Sequence, residues 1–218
     1  MKTSVKKATA TAKKTVKKEQ TKTNLKTKVS RSEEETDKDL EIEENSQKGL
    51  VIVITGNGKG KTTSAFGQAL RAVGQGYKVL ILQFMKGRKY GEFKAAKEYL
   101  PNLTIKLVGL DSFVMRDNPA PIDIEMAQKG FEVAKKAIKS GKYNMIILDE
   151  INVAMDFKLI DVNEVIDVIE NRPAGVDLIM TGRGAPQQIM KIADTVSEVK
   201  EIKHHYAAGI KDRAGIEY

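Results

Sequence analysis

Two short stretches hold the residues best suited to chemistry. The first, TGNGKGKTT over Thr55 to Thr63, sets three glycines and two lysines among nine residues, directly after the apolar run Val51-Ile52-Val53-Ile54. Gly56, Gly58 and Gly60 free the backbone conformation and remove side chains that would hold a phosphate away. Successive N–H groups can then face inward as an anion-binding nest, backed by the positive end of the helix that follows. Asn57, Lys59 and Thr63 lie in the same loop, Lys61 adds a mobile positive charge, and Thr62 offers a hydroxyl to Mg²⁺. The second stretch, Asn144-Met145-Ile146-Ile147-Leu148-Asp149-Glu150, is an apolar strand that ends in two carboxylates. A carboxylate at that place holds the metal of a nucleotide site, directly or through water, so Thr62, Asp149 and Glu150 are the expected metal-associated set. Glu150 reads either as polarising a water or as itself a ligand.

The loop departs from the standard spacing G-x-x-x-x-G-K-[ST], which would place a glycine at residue 55. Thr55 stands there and the glycine falls at Gly56, so the loop is one residue short. A shorter loop cradles fewer phosphate oxygens or holds them in another register. A third candidate is the turn Thr181-Gly182-Arg183-Gly184-Ala185-Pro186, whose Arg183 can reach a phosphate or the face of an aromatic ligand. His204 and His205 are adjacent, and neighbours on an extended segment point apart, so no metal role is assigned to them.

These residues need a scaffold, and the pattern from residue 49 onward supplies one by alternating strand and helix. That alternation predicts an α/β fold of P-loop NTPase-like type, with a mostly parallel sheet covered by helices on both faces. After the first strand, apolar positions Ala65, Phe66, Ala69, Leu70 and Val73 predict a helix over 62–73. Strands are expected over 78–84, 103–108, 176–180 and 195–202, and helices over 91–100, 122–140, 161–171 and 186–193. The end of the second strand, Gln83-Phe84-Met85-Lys86-Gly87, should bring polar side chains to the ligand crevice at the carboxyl edge of the sheet. The irregular segment 109–121 carries Phe113, Met115 and Arg116, which either form a satellite core or line a pocket for an apolar ligand.

Composition divides the chain. Of a net charge of +8, residues 1–31 contribute +10 and residues 32–48 contribute −6, leaving the rest only mildly basic. Such a basic-then-acidic segment cannot bury a core, and residues 1–47 are read as a disordered charged extension preceding a domain over 48–218. A basic tail can bind nucleic acid or an anionic membrane surface. The reading taken is instead a solvated extension, with no nucleic-acid partner. It is poor in Arg and Ser for a transit peptide. No apolar run approaches the roughly 18 residues of a membrane span. The chain has no cysteine, which excludes disulfides, thiolate catalysis and cysteine-ligated metal and fits a cytoplasmic protein.

Taken together, TGNGKGKTTSAFGQALRAVG, QFMKG, ILDEI, TGRGAP and ADTVSEVKEIKHHYAAGIKDRAGIEY resemble the P-loop form of the bacterial ATP:corrinoid (cob(I)alamin) adenosyltransferases, over about residues 48–218. The resemblance implies that the cobalt of a reduced corrinoid attacks the ribose 5′ carbon of ATP and that triphosphate leaves. ATP and the corrinoid are then substrates, Mg²⁺ or Mn²⁺ the metal, a reductase or flavodoxin the electron donor, and a homodimer the assembly. It also implies roles for Gly56 to Thr62 as the ATP loop, for Glu150 as the metal-associated carboxylate with Asp149 beside it, and for Arg71 near the nucleotide. In the family an aromatic pair in the loop after the third strand displaces the corrinoid's lower ligand. Phe113 matches its first member; the second is typically Trp, and in this Trp-free chain Met115 stands nearest.

Overall fold

Apolar side chains point to both sides of the inner strands, so both faces of the sheet need cover. The structure, a computed structural model, describes residues 48–109 and 114–218. Six strands, β1 (Val51–Thr55), β2 (Val79–Phe84), β3 (Leu103–Val108), β4 (Met145–Asp149), β5 (Asp177–Thr181) and β6 (Thr195–Glu198), form one sheet in the order β3-β2-β4-β5-β1-β6. Every pairing among them is parallel, so the sheet is wholly rather than mostly parallel. Val51, Val53, Leu80, Leu82, Ile146, Leu148, Leu178 and Met180 point to one core. It is closed by α3 (Pro121–Lys139), α4 (Ile151–Asp156), α5 (Val162–Glu170) and α6 (Gln187–Ile192). Their neighbours Ile54, Val79, Ile81, Met145, Ile147 and Ile179 point the other way, against Ala65, Ala69 and Ala72 of α1 (Lys61–Gly74) and Ala96 of α2 (Gly91–Tyr99). Burial on both faces is why these strands read as continuous apolar runs. Gly49–Tyr218 forms one compact unit.

Three differences from the expected elements have local causes. No helix was expected at 151–156, yet α4 begins directly after β4 because Glu150 takes a left-handed φ of 64° and turns the chain within one residue. Helix α3 starts at Pro121, where the fixed φ suits the first helical position and the Asp123 carboxylate accepts the Ala120 N–H at 3.2 Å. Strand β6 stops at Glu198 instead of running to residue 202. Beyond it the Val199 N–H donates to the Thr55 carbonyl at 2.8 Å while the Val199 carbonyl accepts the Gly58 N–H at 2.7 Å. The chain leaves the edge of the sheet to run beside the glycine-rich loop.

In the irregular segment, Val114 is buried and joins the larger core, whereas Met115 is 62% exposed. Phe113 and the charged extension over 1–47 lie outside the described residues. Among the described residues no helix is long and apolar enough to cross a membrane.

Candidate active site

The glycine-rich loop leaves β1 at Thr55 and enters α1 at Lys61, with Gly60 at φ 115° making the turn into the helix. Sequence reasoning reserves Gly56 and Gly58 for close approach of a phosphate, but protein backbone also demands them. A Cβ on Gly56 would run into the Val199 carbonyl, and one on Gly58 would lie 2.7 Å from the Lys200 carbonyl oxygen. The segment after β6 therefore forms the back wall of the loop. Lys61 is buried, and its ammonium donates to the Gly58 carbonyl at 2.6 Å, folding back across the loop. Burial lowers its pKa, with Arg183 adding to the effect and Glu150, Glu201 and Asp149 opposing it.

The topology then decides how the carboxylates meet the loop. Strand β5 lies between β1 and β4, so Asp149 at the end of β4 approaches the loop across Thr181 at the end of β5. Asp149 is fully buried and accepts four hydrogen bonds. Its Oδ1 takes the hydroxyls of Thr62 (2.8 Å) and Thr181 (2.7 Å), and its Oδ2 takes Gln83 Nε2 (3.0 Å) and Lys86 Nζ (2.9 Å). Burial pushes the Asp149 pKa up, but the Lys86 charge and the hydrogen bonds from Thr181, Gln83 and Lys86 outweigh it and hold the carboxyl below its ordinary value. Lys86 is held charged in turn: its burial is more than offset by Asp149, and its pKa lies above the usual lysine value.

Glu150 has the opposite balance. Burial first and the neighbouring Asp149 charge second raise its pKa, against the pull of Lys86, Lys61 and Arg183. Its backbone N–H donates to Thr181 Oγ1 at 3.0 Å, so one threonine holds the Asp149 carboxylate and the Glu150 main chain together. The donor set fits a hard divalent cation. Thr62 directs its proton to Asp149 and keeps its lone pairs, and the ionised form of Glu150 carries a penalty from burial and from Asp149 that a divalent cation would relieve. Asp149, with both oxygens already doubly engaged, fits the role of orienting Thr62 or a bound water better than that of a direct ligand.

Two cavities meet at these residues. One of about 500 Å³ is lined by Lys59, Gly60, Lys61, Thr62, Thr63 and Phe66, with Gly215 to Tyr218 on its far side. The other, of about 780 Å³, is lined by Asn57, Met85, Val114, Arg116, Val153, Asp156, Phe157 and Arg183. Lys61, Lys86, Tyr90 and Glu150 border both. A larger cavity of about 910 Å³ lies between α3 and the start of α5. Its lining sets four carboxylates, Glu125, Glu132, Asp161 and Glu164, against Lys129 and Lys158, and it shares no residue with the loop.

A phosphate loop and a buried strand-end aspartate are common to many nucleotide enzymes, so relatives decide which kind this is. The family model described as ATP:corrinoid adenosyltransferase BtuR/CobO/CobP matches residues 47–218. The chain belongs to the ATP:corrinoid adenosyltransferase family. It is 35% identical over 172 residues to the corrinoid adenosyltransferase of Escherichia coli K12, covering 78% of this chain and 86% of that protein. The corrinoid adenosyltransferase of a Sinorhizobium species is 34% identical over 173 residues, covering 78% of this chain and 81% of its own length. The corrinoid adenosyltransferase CobA of Salmonella typhimurium is 34% identical over 172 residues, with 78% and 86% covered.

Within this adenosyltransferase fold, the expected residues Lys59 to Thr63, Asn57, Glu150 and Arg183 line the paired cavities, and Asp149 lies directly beneath, bonded to Thr62. Arg71 does not join them. It is exposed in the last turn of α1, ten residues and about 15 Å along the helix from Lys61, and its guanidinium donates to Gln68 at 3.4 Å. Met115 is exposed beside Val114, which lines the cavity of about 780 Å³. The stretches expected at the ligand edge contain Lys86, Gln83 and Thr181 without a role assigned to any of them, and Tyr90 was not singled out. The first three had a legible signal, since each is polar at the carboxyl end of an otherwise apolar strand.

Proposed function

We propose that this chain transfers the 5′-deoxyadenosyl group of ATP to the cobalt of a reduced corrinoid, forming adenosylcobalamin and releasing triphosphate. The observation that carries the reading is the pair of cavities sharing Lys61, Lys86, Tyr90 and Glu150. Hydrolysis asks only for a water beside the terminal phosphate, whereas a second space of about 780 Å³ with an apolar floor of Met85, Val114, Val153 and Phe157 suits a second organic substrate. On this reading the triphosphate lies along Lys59 to Thr63, and the adenosyl group projects into the larger space, where one face of the corrinoid meets it.

The cobalt electron pair forms the cobalt–carbon bond as the C5′–O bond breaks, and that bonding pair leaves on the triphosphate. No protein nucleophile or general base is required, because the corrinoid supplies the nucleophile. The chain's own work is placement and charge. Lys61 and the loop N–H groups offset the negative charge that gathers on the departing oxygen, and Arg183 faces the same space. Thr62 and Glu150, with Asp149 behind them, would hold Mg²⁺ or Mn²⁺, which supplies further charge neutralisation. Met115 stands nearest in the sequence to the position of the family's Trp, and a part for it in contacting the corrinoid is carried over from the resemblance. A homodimer and a flavodoxin- or reductase-type electron donor in the cytoplasm complete the proposal, carried over from the resemblance. The charged segment 1–47 is assigned no part in the transfer.

Anaerobic incubation with ATP, Mg²⁺ and chemically reduced cobalamin tests this. The expected result is the visible spectrum of a light-sensitive alkylcobalt product, lost on photolysis. Complete ATP-dependent phosphate release with an unchanged corrinoid spectrum would overturn it.

A further inference from the structure

The loop's second lysine is held from outside the loop. Lys59 Nζ donates to the Ile216 carbonyl at 3.0 Å and lies 3.5 Å from Glu217 Oε1. Glu217 is itself fixed: its Oε2 accepts the Arg213 N–H at 2.8 Å, its own N–H donates to the Arg213 carbonyl at 3.0 Å, and His205 Nε2 stands 3.3 Å from Oε1. His205 reaches that place because His204 is extended while His205 opens a 3-10 turn (His205–Ala208), so the two rings stack with centroids 4.5 Å apart instead of pointing apart. With Asp212, the His205 and Glu217 ligand atoms lie within 4.8 Å of one another, a spacing that would suit a metal. The Lys59 ammonium already stands against Glu217, so the cation at this cluster is the protein's own.

The same segment forms one side of the smaller cavity. Gly215, Ile216, Glu217 and Tyr218 line it opposite Lys59 to Thr63, and the Tyr218 ring lies 6.3 Å from that of Tyr90, which borders both cavities. A loop shortened by one residue offers fewer backbone N–H donors to a triphosphate, and a side-chain ammonium set at its rim makes up for part of that loss.

We propose that Glu217 is a positioning residue for ATP: it holds Lys59 at the rim of the shortened loop, where the ammonium meets the triphosphate. The inference rests on the adenosyltransferase reading for its choice of nucleotide. An exposed ion pair contributes little when both side chains must be ordered to form it. Here the carboxylate is ordered beforehand by the Arg213 backbone, so its effect passes to Lys59 and from there to the ligand.

The test is a double-mutant cycle on the full chain with Glu217→Gln, Lys59→Met and the pair, reading ATP affinity by calorimetry without corrinoid and KM against kcat in the transfer assay. Glu217→Gln weakens ATP binding about three- to tenfold, a size set by one charge-assisted contact. The loss falls on KM for ATP and not on kcat, and adding Glu217→Gln to Lys59→Met weakens binding no further. Unchanged ATP affinity in Glu217→Gln, or an equal loss in both backgrounds, would overturn the proposal, the latter by showing that Glu217 acts without Lys59. The calorimetric arm does not depend on turnover. A wild-type protein that binds ATP but forms no cobalt–carbon product would count against the function and leave the positioning test intact.

Discussion

Lys61→Met lowers adenosyl transfer by about 10²- to 10³-fold, the range for loss of one preorganised group facing developing negative charge. The ammonium sits in a buried setting that lowers its pKa, and its hydrogen bond runs to a loop carbonyl at 2.6 Å. It is therefore a cation whose burial is only partly compensated, and an arriving polyanion completes the compensation. The need is greatest as the C5′–O bond breaks and charge gathers on the leaving oxygen, so the loss falls chiefly on kcat. Methionine keeps the length and the packing of the lysine stem, and thermal unfolding of the variant stays close to that of the wild type. Single-turnover kinetics check the prediction, and transfer within about tenfold of the wild-type rate contradicts the role given to Lys61.

Asp149→Asn destabilises the fold by about 3–5 kcal/mol, the cost of breaking a buried charge pair from one side. The carboxylate receives four donors, two on each oxygen. An amide has only one oxygen, so either Thr62 and Thr181 or Gln83 and Lys86 face an NH₂ group that cannot accept from them. Lys86 then keeps a largely buried charge without the carboxylate that balanced it at 2.9 Å. Urea unfolding measures the loss, and adding Lys86→Met to Asp149→Asn recovers part of it because the two sites are directly coupled. A loss below about 1 kcal/mol, or purely additive effects of the two substitutions, contradicts the geometry described for Asp149.

Much of this centre was readable before any coordinates. The run Val51 to Ile54 into Gly-Lys-Thr-Thr, and the run Met145 to Leu148 into Asp149-Glu150, announce themselves because strands buried on both faces leave few polar positions, and those fall at the carboxyl edge. Periodicity alone could not show that β5 lies between β1 and β4. That strand order is what makes Thr181 the shared partner of Asp149 and Glu150. Lys86 was expected near the ligand edge, but its pairing with Asp149 was not legible: Met85 takes a left-handed φ of 55° just past β2, and nothing in that residue type announces it. The contact of Glu217 with Lys59 spans more than 150 residues of chain, and the stacked histidines depend on a 3-10 turn too short to leave a periodic pattern. Arg71 shows the converse. Its position in a motif-bearing helix suggested proximity to the nucleotide, whereas the rise of that helix carries it away along α1.

The claim at the centre of this account is that the loop holds a triphosphate that departs whole. Phosphorus NMR of a single turnover with ATP, Mg²⁺ and reduced cobalamin measures that directly. Intact triphosphate is expected in amounts equal to the alkylcobalt formed. ADP and orthophosphate in its place would contradict it and return the site to ordinary phosphoryl chemistry.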